Sequence, residues 1–361
     1  MSNYEISRRL FLGAMAAPLW NAQANPTATR HLFLNSGIVE STNNLALRVG
    51  RVVKDARNPL FKEDKPWEVR YDNVYANVMY DSHSKLYRCW YSPFIVDPAV
   101  SESSRSDWGK IEYRPRSREM GVCYAEASDG LSWRKPELGL VEFQGSTAKN
   151  LVVRGPHGSG VTYDPYDKDP ARRYKMFFLG RGLSASFSTD GIHWGSAVPL
   201  PSLKAAADTH NNAQWMPRLN RYVGITRLFD REKSQRLVAR TESENFLDWT
   251  PPQEVLRCVE NAPENQTYAM PIFEYGDVYL GLVMIFNKPS DTVWCELTWS
   301  PDTIKWERID IDTPLIPLGA NTSYDCGCVY AAAKPIVTEK EILLYYGASN
   351  GPHTGWRGGF F

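Results

Sequence analysis

A short turn sequence recurs four times along the chain, and this repeat limits the fold more than any other feature. The clearest copy, residues 188–194, reads Ser-Thr-Asp-Gly-Ile-His-Trp, and residues 128–133 share its frame. Asp and Gly suit a tight turn, because the carboxylate accepts backbone N–H groups and Gly tolerates a positive φ. Looser copies end at Trp249 and Trp306, so the four tryptophans are spaced by 61, 55 and 57 residues. Such a repeat predicts one turn in each blade of a β-propeller.

A second repeat, offset from the turns, supports the same fold. Apolar and aromatic runs follow polar turn sequences at residues 86–91, 173–178, 221–226, 278–283 and 342–346. Each run is typical of a strand that is buried on both faces. Five such strands predict an all-β, five-bladed propeller over residues 35–361.

Residues 1–24 have the character of an export signal. A twin-arginine pattern at residues 7–12 is followed by an apolar run, and Ala22-Gln23-Ala24 supplies small residues for cleavage. The apolar run is too short to span a bilayer. We therefore predict a twin-arginine signal peptide, a periplasmic or secreted protein and no membrane contact after signal removal. The alternative is an amphipathic start of the mature domain.

Composition limits the kinds of partner that the protein is expected to bind. The chain contains 12 Trp, 19 Tyr and 14 Phe, which favour strands and sugar-binding surfaces. Lys plus Arg and Asp plus Glu both total 41, so no basic field indicates nucleic acid as a partner. The six cysteines lack the C-x-x-C spacing of zinc sites. We expect mostly buried free thiols, no metal, no cofactor and a monomer.

The turns and the blade spacing carry a family resemblance. The chain resembles the five-bladed β-propeller glycoside hydrolases, the broad group of arabinanases, β-xylosidases, invertases and levansucrases. The run Tyr-Tyr-Gly-Ala at residues 345–348 also fits this group. The turns resemble the Asp boxes of six-bladed sialidases too, but those boxes carry an extra residue between Asp and Gly. The Trp-Met-Asn-Asp-Pro-Asn-Gly and Arg-Asp-Pro motifs of invertases are absent from the sequence, so fructan chemistry is not expected.

The resemblance implies where the functional residues lie. In such propellers the inner strand of each blade begins at the central axis, so residues at these starts line a funnel. The carboxyl groups at those positions are Glu68, Asp72, Asp208, Glu264 and Asp325. The glycines of His157-Gly158-Ser159-Gly160 would allow backbones to approach closely there.

Hydrolysis of a glycosidic bond needs two carboxyl groups, one that protonates the leaving oxygen and one that activates water or attacks the anomeric carbon. The leading assignment makes Asp208 the base or pKa-tuning carboxylate and Glu264 the general acid. Asp72 or Asp325 is the remaining acid. Each of these carboxylates could instead stabilise a turn or accept hydrogen bonds from backbone N–H groups.

Further polar and aromatic residues at the blade starts are candidates for binding sugar. Amide and imidazole groups suit hydroxyls, aromatic faces suit sugar C–H surfaces, and an arginine suits a carboxylate. The candidates are His157, His210, Asn211, Asn212, Trp215, Gln266, Tyr268, His353, Trp356 and Arg357.

Two functions remain open, a glycosidase that acts on poly- or oligosaccharides and a non-catalytic carbohydrate-binding propeller. The C-terminal Phe360-Phe361 pair reads as the start of a strand. Either a strand near residues 31–34 closes the fifth blade, or the chain is C-terminally truncated. A propeller must protect its edges in some such way.

Overall fold

The computed structural model describes residues 32–34, 40–41, 43–111, 117–258, 264–355 and 357–361. The signal segment predicted for residues 1–24 lies outside them. Helical structure in the described ranges comprises α1 (Pro98–Ser101) and 3-10 segments at Arg105–Lys110 and Pro170–Arg172. Within those ranges, no helix combines the length and the apolarity that a membrane span requires.

Neighbouring strands pair mostly in antiparallel fashion, and the described strands fall into units that follow one another along the chain. The first unit contains β1 (Arg70–Tyr71), β2 (Asn77–Asp81), β3 (Leu86–Tyr91), β4 (Pro93–Val96), β5 (Glu119–Ala127) and β6 (Leu151–Arg154). The second contains β7 (His157–Tyr163), β8 (Tyr174–Leu179), β9 (Leu183–Ser188) and β10 (Val198–Pro199). The third contains β11 (Asn212–Met216), β12 (Arg221–Asp230), β13 (Gln235–Ser243) and β14 (Gln253–Leu256).

Two further units complete the described strands. The fourth contains β15 (Asn265–Ala269), β16 (Ile272–Tyr275), β17 (Val278–Asn287), β18 (Thr292–Ser300) and β19 (Glu307–Arg308). The same sheet continues into β20 (Cys328–Ala331), β23 (Tyr346–Ser349) and β24 (Gly359–Phe360), because Val293 of β18 pairs in parallel with Cys328 of β20. A separate hairpin comprises β21 (Ile336–Val337) and β22 (Ile342–Leu343). We call these five strands the fifth unit. The apolar runs found in the sequence correspond to β3, β8, β12 and β17, and the last run is divided between β22 and β23.

The four repeated turns share one geometry, although their sequences differ. In each, one side-chain oxygen accepts two backbone N–H groups, at 2.7–2.8 Å, from the residues two and three positions later. The next residue always has a positive φ, even where Phe246 (67°) and Thr303 (67°) replace glycine. The predicted repeat is therefore confirmed as a structural repeat. The accepting residues are Asp129, Asp190, Asn245 and Asp302.

Each turn also receives a hydrogen bond from another unit. The donor lies in the unit before it in the chain, and for the turn of the first unit it lies in the fifth unit. The Arg88 guanidinium donates to the carbonyl of Asp190, and Arg172 donates to the carbonyl of Asn245. Arg240 donates to the Thr303 hydroxyl. The Tyr345 hydroxyl of the fifth unit donates to the Gly130 carbonyl of the first unit. The turns thus join neighbouring units as well as the strands within a unit.

The fifth unit is closed by a segment from early in the chain, but not by the one expected. The amide of Phe361 donates to the carbonyl of Phe61 (3.0 Å), and the amide of Leu60 donates back to Phe361 (2.6 Å). The Phe61 and Phe361 rings stack with centroids 4.6 Å apart. The alternative of a closing strand near residues 31–34 is not found in the described part of that segment, since residues 32–34 form no strand and Leu32 lies beside Gly276 of the fourth unit.

A buried ion pair holds this closing segment in place. The ammonium of Lys135 lies 2.7 Å from Glu68 and 2.8 Å from Asp64, and it donates to the carbonyl of Lys62 at 3.0 Å. Glu68 also accepts the Tyr91 hydroxyl at 2.5 Å. Three protein donors contact Oε2 of Glu68 and one contacts Oε1, so this carboxylate has a structural role.

The cysteines agree with the expectation from composition. All six are free, and only Cys326 is partly exposed. Burial raises the pKa of the Cys328 thiol to about 12. These thiols therefore pack as small apolar side chains.

The turn tryptophans explain why two central strands contain glycine. A Cβ added at Gly224 would lie 2.9 Å from the ring of Trp249 and 2.8 Å from the methyl of Thr241. Gly281 stands in the same relation to Trp306, at 3.0 Å. The absence of a side chain at these positions allows the indole to lie on the strand.

We expect Gly224→Ala to lower the free energy of unfolding by about 1–3 kcal/mol, because the new methyl group overpacks the Trp249 contact. Urea unfolding, followed by tryptophan fluorescence, measures this change. Gly182→Ala is the matched control, since no atom lies within 4 Å of its added Cβ, and its effect should stay within about 0.5 kcal/mol. Equal stability of the two variants would contradict the packing argument.

Candidate active site

Polar and aromatic side chains from all the units meet at one end of the structure. Ring contacts connect them across the units: Tyr75 to His157 (5.8 Å), Tyr268 to Tyr330 (5.6 Å) and Tyr268 to His353 (5.0 Å). We call this group, together with Asp72 and Asp208, the polar mouth.

A strained segment brings the first unit into the polar mouth. Asn73, Val74 and Tyr75 have φ values of 61°, 60° and 44°, and a β-branched residue such as Val rarely adopts this conformation. Gly347 permits the close approach, since a Cβ there would lie 2.7 Å from the Val74 Cβ. Strain of this kind persists only where the surroundings enforce it, and it is common at functional sites. Here it fixes the chain directly after Asp72.

The loop that carries Asp208 rests on the backbone of the second unit. A Cβ at Gly158 would lie 1.7 Å from the carbonyl oxygen of Thr209, so only glycine fits there. Asn211 donates to the carbonyls of Ala207 (2.9 Å) and Thr209 (3.0 Å) and accepts the Thr226 hydroxyl (2.7 Å). The sequence-based expectation of close backbone approach at these glycines is thereby confirmed.

Asp208 is the more exposed carboxylate of the polar mouth. It lies 3.3 Å from Nε2 of His157 and 3.4 Å from the guanidinium of Arg227. Burial opposes ionisation, but the positive charges of His157 and Arg227 outweigh it and hold the pKa of Asp208 below its usual value. Asp208 is therefore a carboxylate that stays ionised.

Asp72 differs from Asp208 in its surroundings. It is 8% exposed, and the described residues give its side chain no hydrogen bond. Burial raises the pKa of both Tyr75 and Tyr268, and the negative charges of Asp72 and Asp208 each raise them further. Both carboxylates therefore lie close enough to the same pair of phenols to act on them electrostatically.

A chain of hydrogen bonds orders these phenols. The Asn73 amide donates to the hydroxyls of Tyr75 (2.7 Å) and Tyr268 (2.9 Å). Nε2 of His353 lies 3.0 Å from the same Tyr268 oxygen, and its Nδ1 lies 3.7 Å from Asp291. The phenols therefore have fixed positions before any ligand binds.

Two arginines of the third unit make one side of the polar mouth positive. Arg227 lies over the Tyr268 ring at 5.8 Å, and Arg236 lies over it at 5.6 Å and over Phe286 at 4.9 Å. Gln266 is buried, accepts from Arg236 at 2.7 Å and donates to the Ser234 carbonyl at 2.9 Å. One polar atom of Gln266 thus holds the Arg236 guanidinium, and the other holds the backbone two residues before Arg236.

Several candidates from the sequence lie behind the polar mouth. His210 is buried against Tyr75, and burial lowers its pKa to about 3, so it is neutral. Its Nε2 lies 3.3 Å from the Asn77 side-chain oxygen. Asn212 is also buried and donates to the His210 carbonyl at 3.1 Å. These contacts make His210 and Asn212, like Asn211, supports of the loop.

Two of the carboxylates expected at the axis lie apart from Asp72 and Asp208. Asp325 is buried in an ion pair with Lys54 (2.5 Å) and accepts the hydroxyls of Ser323 (2.8 Å) and Tyr346 (3.1 Å). Glu264 is exposed, and no described contact joins its side chain to the polar mouth. Among the described residues, the carboxylates whose charges act on both Tyr75 and Tyr268 are Asp72 and Asp208, and neither Asp325 nor Glu264 is included.

The remaining candidates are more peripheral. Trp215 packs against Tyr222 within the third unit, with ring centroids 5.0 Å apart. Arg357 is exposed on the loop before β24, and Trp356 lies outside the described residues. Tyr268, His157 and His353 are the predicted sugar-binding residues that line the polar mouth.

Sequence reasoning missed Asn73, Tyr75, Arg227, Arg236 and Tyr330. Asn73 follows Asp72 directly, so the same strand-start argument could have included it. Arg227 and Arg236 lie within long strands, where an isolated arginine resembles an ordinary surface residue.

Comparisons with known proteins identify the fold. No protein-family model matches the sequence, and no curated protein matches it. A β-1,2-mannobiose phosphorylase from Listeria innocua has a TM-score of 0.57 at 13% identity and matches 84% of this chain and 94% of its own. A glycosyl hydrolase from Bacteroides ovatus has a TM-score of 0.54 at 12% identity, with 86% and 94% covered. The chain therefore has the propeller-like, all-β fold of these carbohydrate-active enzymes.

Proposed function

We propose that the protein is a glycoside hydrolase whose five units are the blades of one propeller, with Asp72 and Asp208 as its two carboxyl groups. The observation that carries the proposal is that the negative charges of both carboxylates, from separate units, act on the same phenols, Tyr75 and Tyr268. Paired carboxyl groups that flank one point are what cleavage of a glycosidic bond requires.

The two carboxyl groups have different roles because their surroundings differ. Asp208 remains ionised beside His157 and Arg227, so it serves as the base that activates water or as the nucleophile. Asp72 is buried and unpaired among the described residues, and it serves as the acid that protonates the leaving oxygen. This assignment gives Asp72 the role that the sequence favoured for Glu264.

The phenols and imidazoles of the polar mouth position the sugar. Tyr268 and Tyr75 are ordered by the Asn73 amide, so their hydroxyls can bind sugar hydroxyls with little loss of freedom. His157 and His353 add polar groups on either side. This arrangement fits an oligosaccharide end or a short glycan.

The solved structures support a carbohydrate substrate. The Listeria innocua enzyme is a phosphorylase in complex with β-1,2-mannobiose, so phosphate is included in the assays below. The proposal also includes export by the twin-arginine route to the periplasm or medium, and a monomeric state.

We expect Asp72→Asn and Asp208→Asn each to lower kcat by about 10²–10⁴-fold while the fold is retained, since each removes a proton-transfer or nucleophilic group. The measurement is hydrolysis of a panel of aryl-glycosides and oligosaccharides, including β-1,2-mannobiose, with and without phosphate. Circular dichroism and melting temperature confirm folding.

Glu264→Gln is the matched control for this experiment and should change kcat by less than about twofold, because Glu264 is exposed outside the polar mouth. Full activity in both Asp variants would show that the pair is not catalytic. Sugar binding without turnover of any substrate would favour the non-catalytic carbohydrate-binding propeller.

The charges around Asp208 predict a pH dependence. Because its pKa is held below the usual value, the acid limb of kcat/KM should lie below about pH 3.9, the ordinary aspartate value. Arg227→Gln removes one of the charges responsible, so the limb should move to higher pH. Arg221→Gln, on the same strand but paired with Glu242, should leave it in place. An unchanged limb in Arg227→Gln would exclude Asp208 as the ionised group.

A further inference from the structure

Arg236 is a positioned cation that lacks an acidic partner. Other arginines of the third unit are paired, since Arg227 faces Asp208 at 3.4 Å and Arg240 faces Glu242 at 2.7 Å. Among the described residues, the hydrogen-bond partner of the Arg236 guanidinium is the neutral amide of Gln266, and no carboxylate forms an ion pair with it. The positive charge of Arg236 is thus not neutralised by an ion pair, although the negative charge of Asp208 acts on it from farther away.

The surroundings of Arg236 hold its guanidinium in place. One face lies on the Phe286 ring, and the Gln266 oxygen accepts from one terminal nitrogen. The backbone carbonyl of Arg236 accepts the Thr267 hydroxyl at 3.0 Å. The fourth unit therefore fixes this side chain of the third unit, so little freedom remains to be lost when a ligand binds.

The position of Arg236 makes it available to a ligand in the polar mouth. It shares the Tyr268 ring with Arg227, and its side chain is only partly buried. Its remaining N–H groups can bind an anion in the two-pronged manner that suits a planar carboxylate. A like charge nearby and partial burial leave Arg236 better stabilised when an anion is present.

We propose that Arg236 is a specificity-determining residue that binds the carboxylate of an acidic sugar, so that the preferred substrate is a uronic-acid glycoside. This inference rests on the proposed function, because it names the substrate class of the same polar mouth. Asp72 and Asp208 act on the glycosidic bond, whereas Arg236 contacts a substituent of the sugar ring.

The test uses the full chain and matched ligands. The probes are the methyl glycosides of glucuronic, galacturonic, mannuronic and guluronic acid, each compared with its uncharged methyl ester, and binding is measured by calorimetry and ligand-observed NMR. We expect at least one acid to bind about tenfold more tightly than its ester, as a charge-assisted hydrogen bond implies. Equal binding of acid and ester throughout, or no binding of any acid, would overturn the inference.

Three variants distinguish Arg236 from a general charge effect. Arg236→Gln should remove the preference for the acid and leave ester binding unchanged. Arg236→Lys retains the positive charge but not the planar guanidinium, and it should keep part of the preference. This variant keeps the test informative if Arg236→Gln fails to fold. Arg257→Gln, a control that is paired with Glu254 elsewhere, should behave like the wild type. Retention of the full preference in Arg236→Gln would overturn the inference.

Two further outcomes separate this inference from the proposed function. If neutral glycosides are cleaved with Asp72 and Asp208 required, and no acid is preferred, the hydrolase stands and the acidic-sugar inference falls. If inorganic phosphate displaces the bound methyl glycoside and turnover yields a sugar phosphate, Arg236 binds free phosphate. The acidic-sugar inference then also falls. If the acid preference depends on Arg236 but no substrate is cleaved, the hydrolase proposal falls while acid recognition stands.

Discussion

The structure depends on the main-chain pairing between Leu60–Phe61 and Phe361. These residues are about 300 positions apart in the sequence, yet their reciprocal hydrogen bonds complete the edge of the fifth unit. The stacked rings of Phe61 and Phe361 and the Lys135–Glu68 pair cover this junction. Without it, an unpaired strand edge would be exposed, and the first and fifth units would lose one of the contacts that join them.

The polar mouth is a product of that arrangement. Asp72 follows a strand of the first unit and Asp208 precedes a strand of the third, so the packing of the units against one another brings both charges near the same two phenols. Each is held by local means, Asp72 by the positive-φ segment after it and Asp208 by the loop seated on Gly158. The site therefore combines local rigidity with long-range closure.

The sequence predicted the repeats well because their chemistry is local. Asp190, Gly191 and Trp194 form their turn with one another, and strands such as β12 and β17 carry their own apolar pattern. The candidate site stays a prediction. The sequence placed Asp72, Asp208 and Tyr268 near the starts of inner strands, whereas in the structure Asp72 follows β1, Asp208 precedes β11 and Tyr268 lies within β15. Asp325 shares the position but pairs with Lys54, a contact between distant residues. Arg236 depends on Gln266 and Phe286 of another unit, which no local pattern reveals.

The repeated turn also bears on how far such a chain can diverge. Asn245 accepts the same backbone N–H groups as Asp190, and Phe246 and Thr303 keep the positive φ of Gly191. Selection therefore acts on an acceptor atom and a backbone conformation, which several residue types provide. Sequence identity can drift while the geometry of the turn persists. A shared fold at 12–13% identity, with no family model matched, is what such relaxed selection would leave behind.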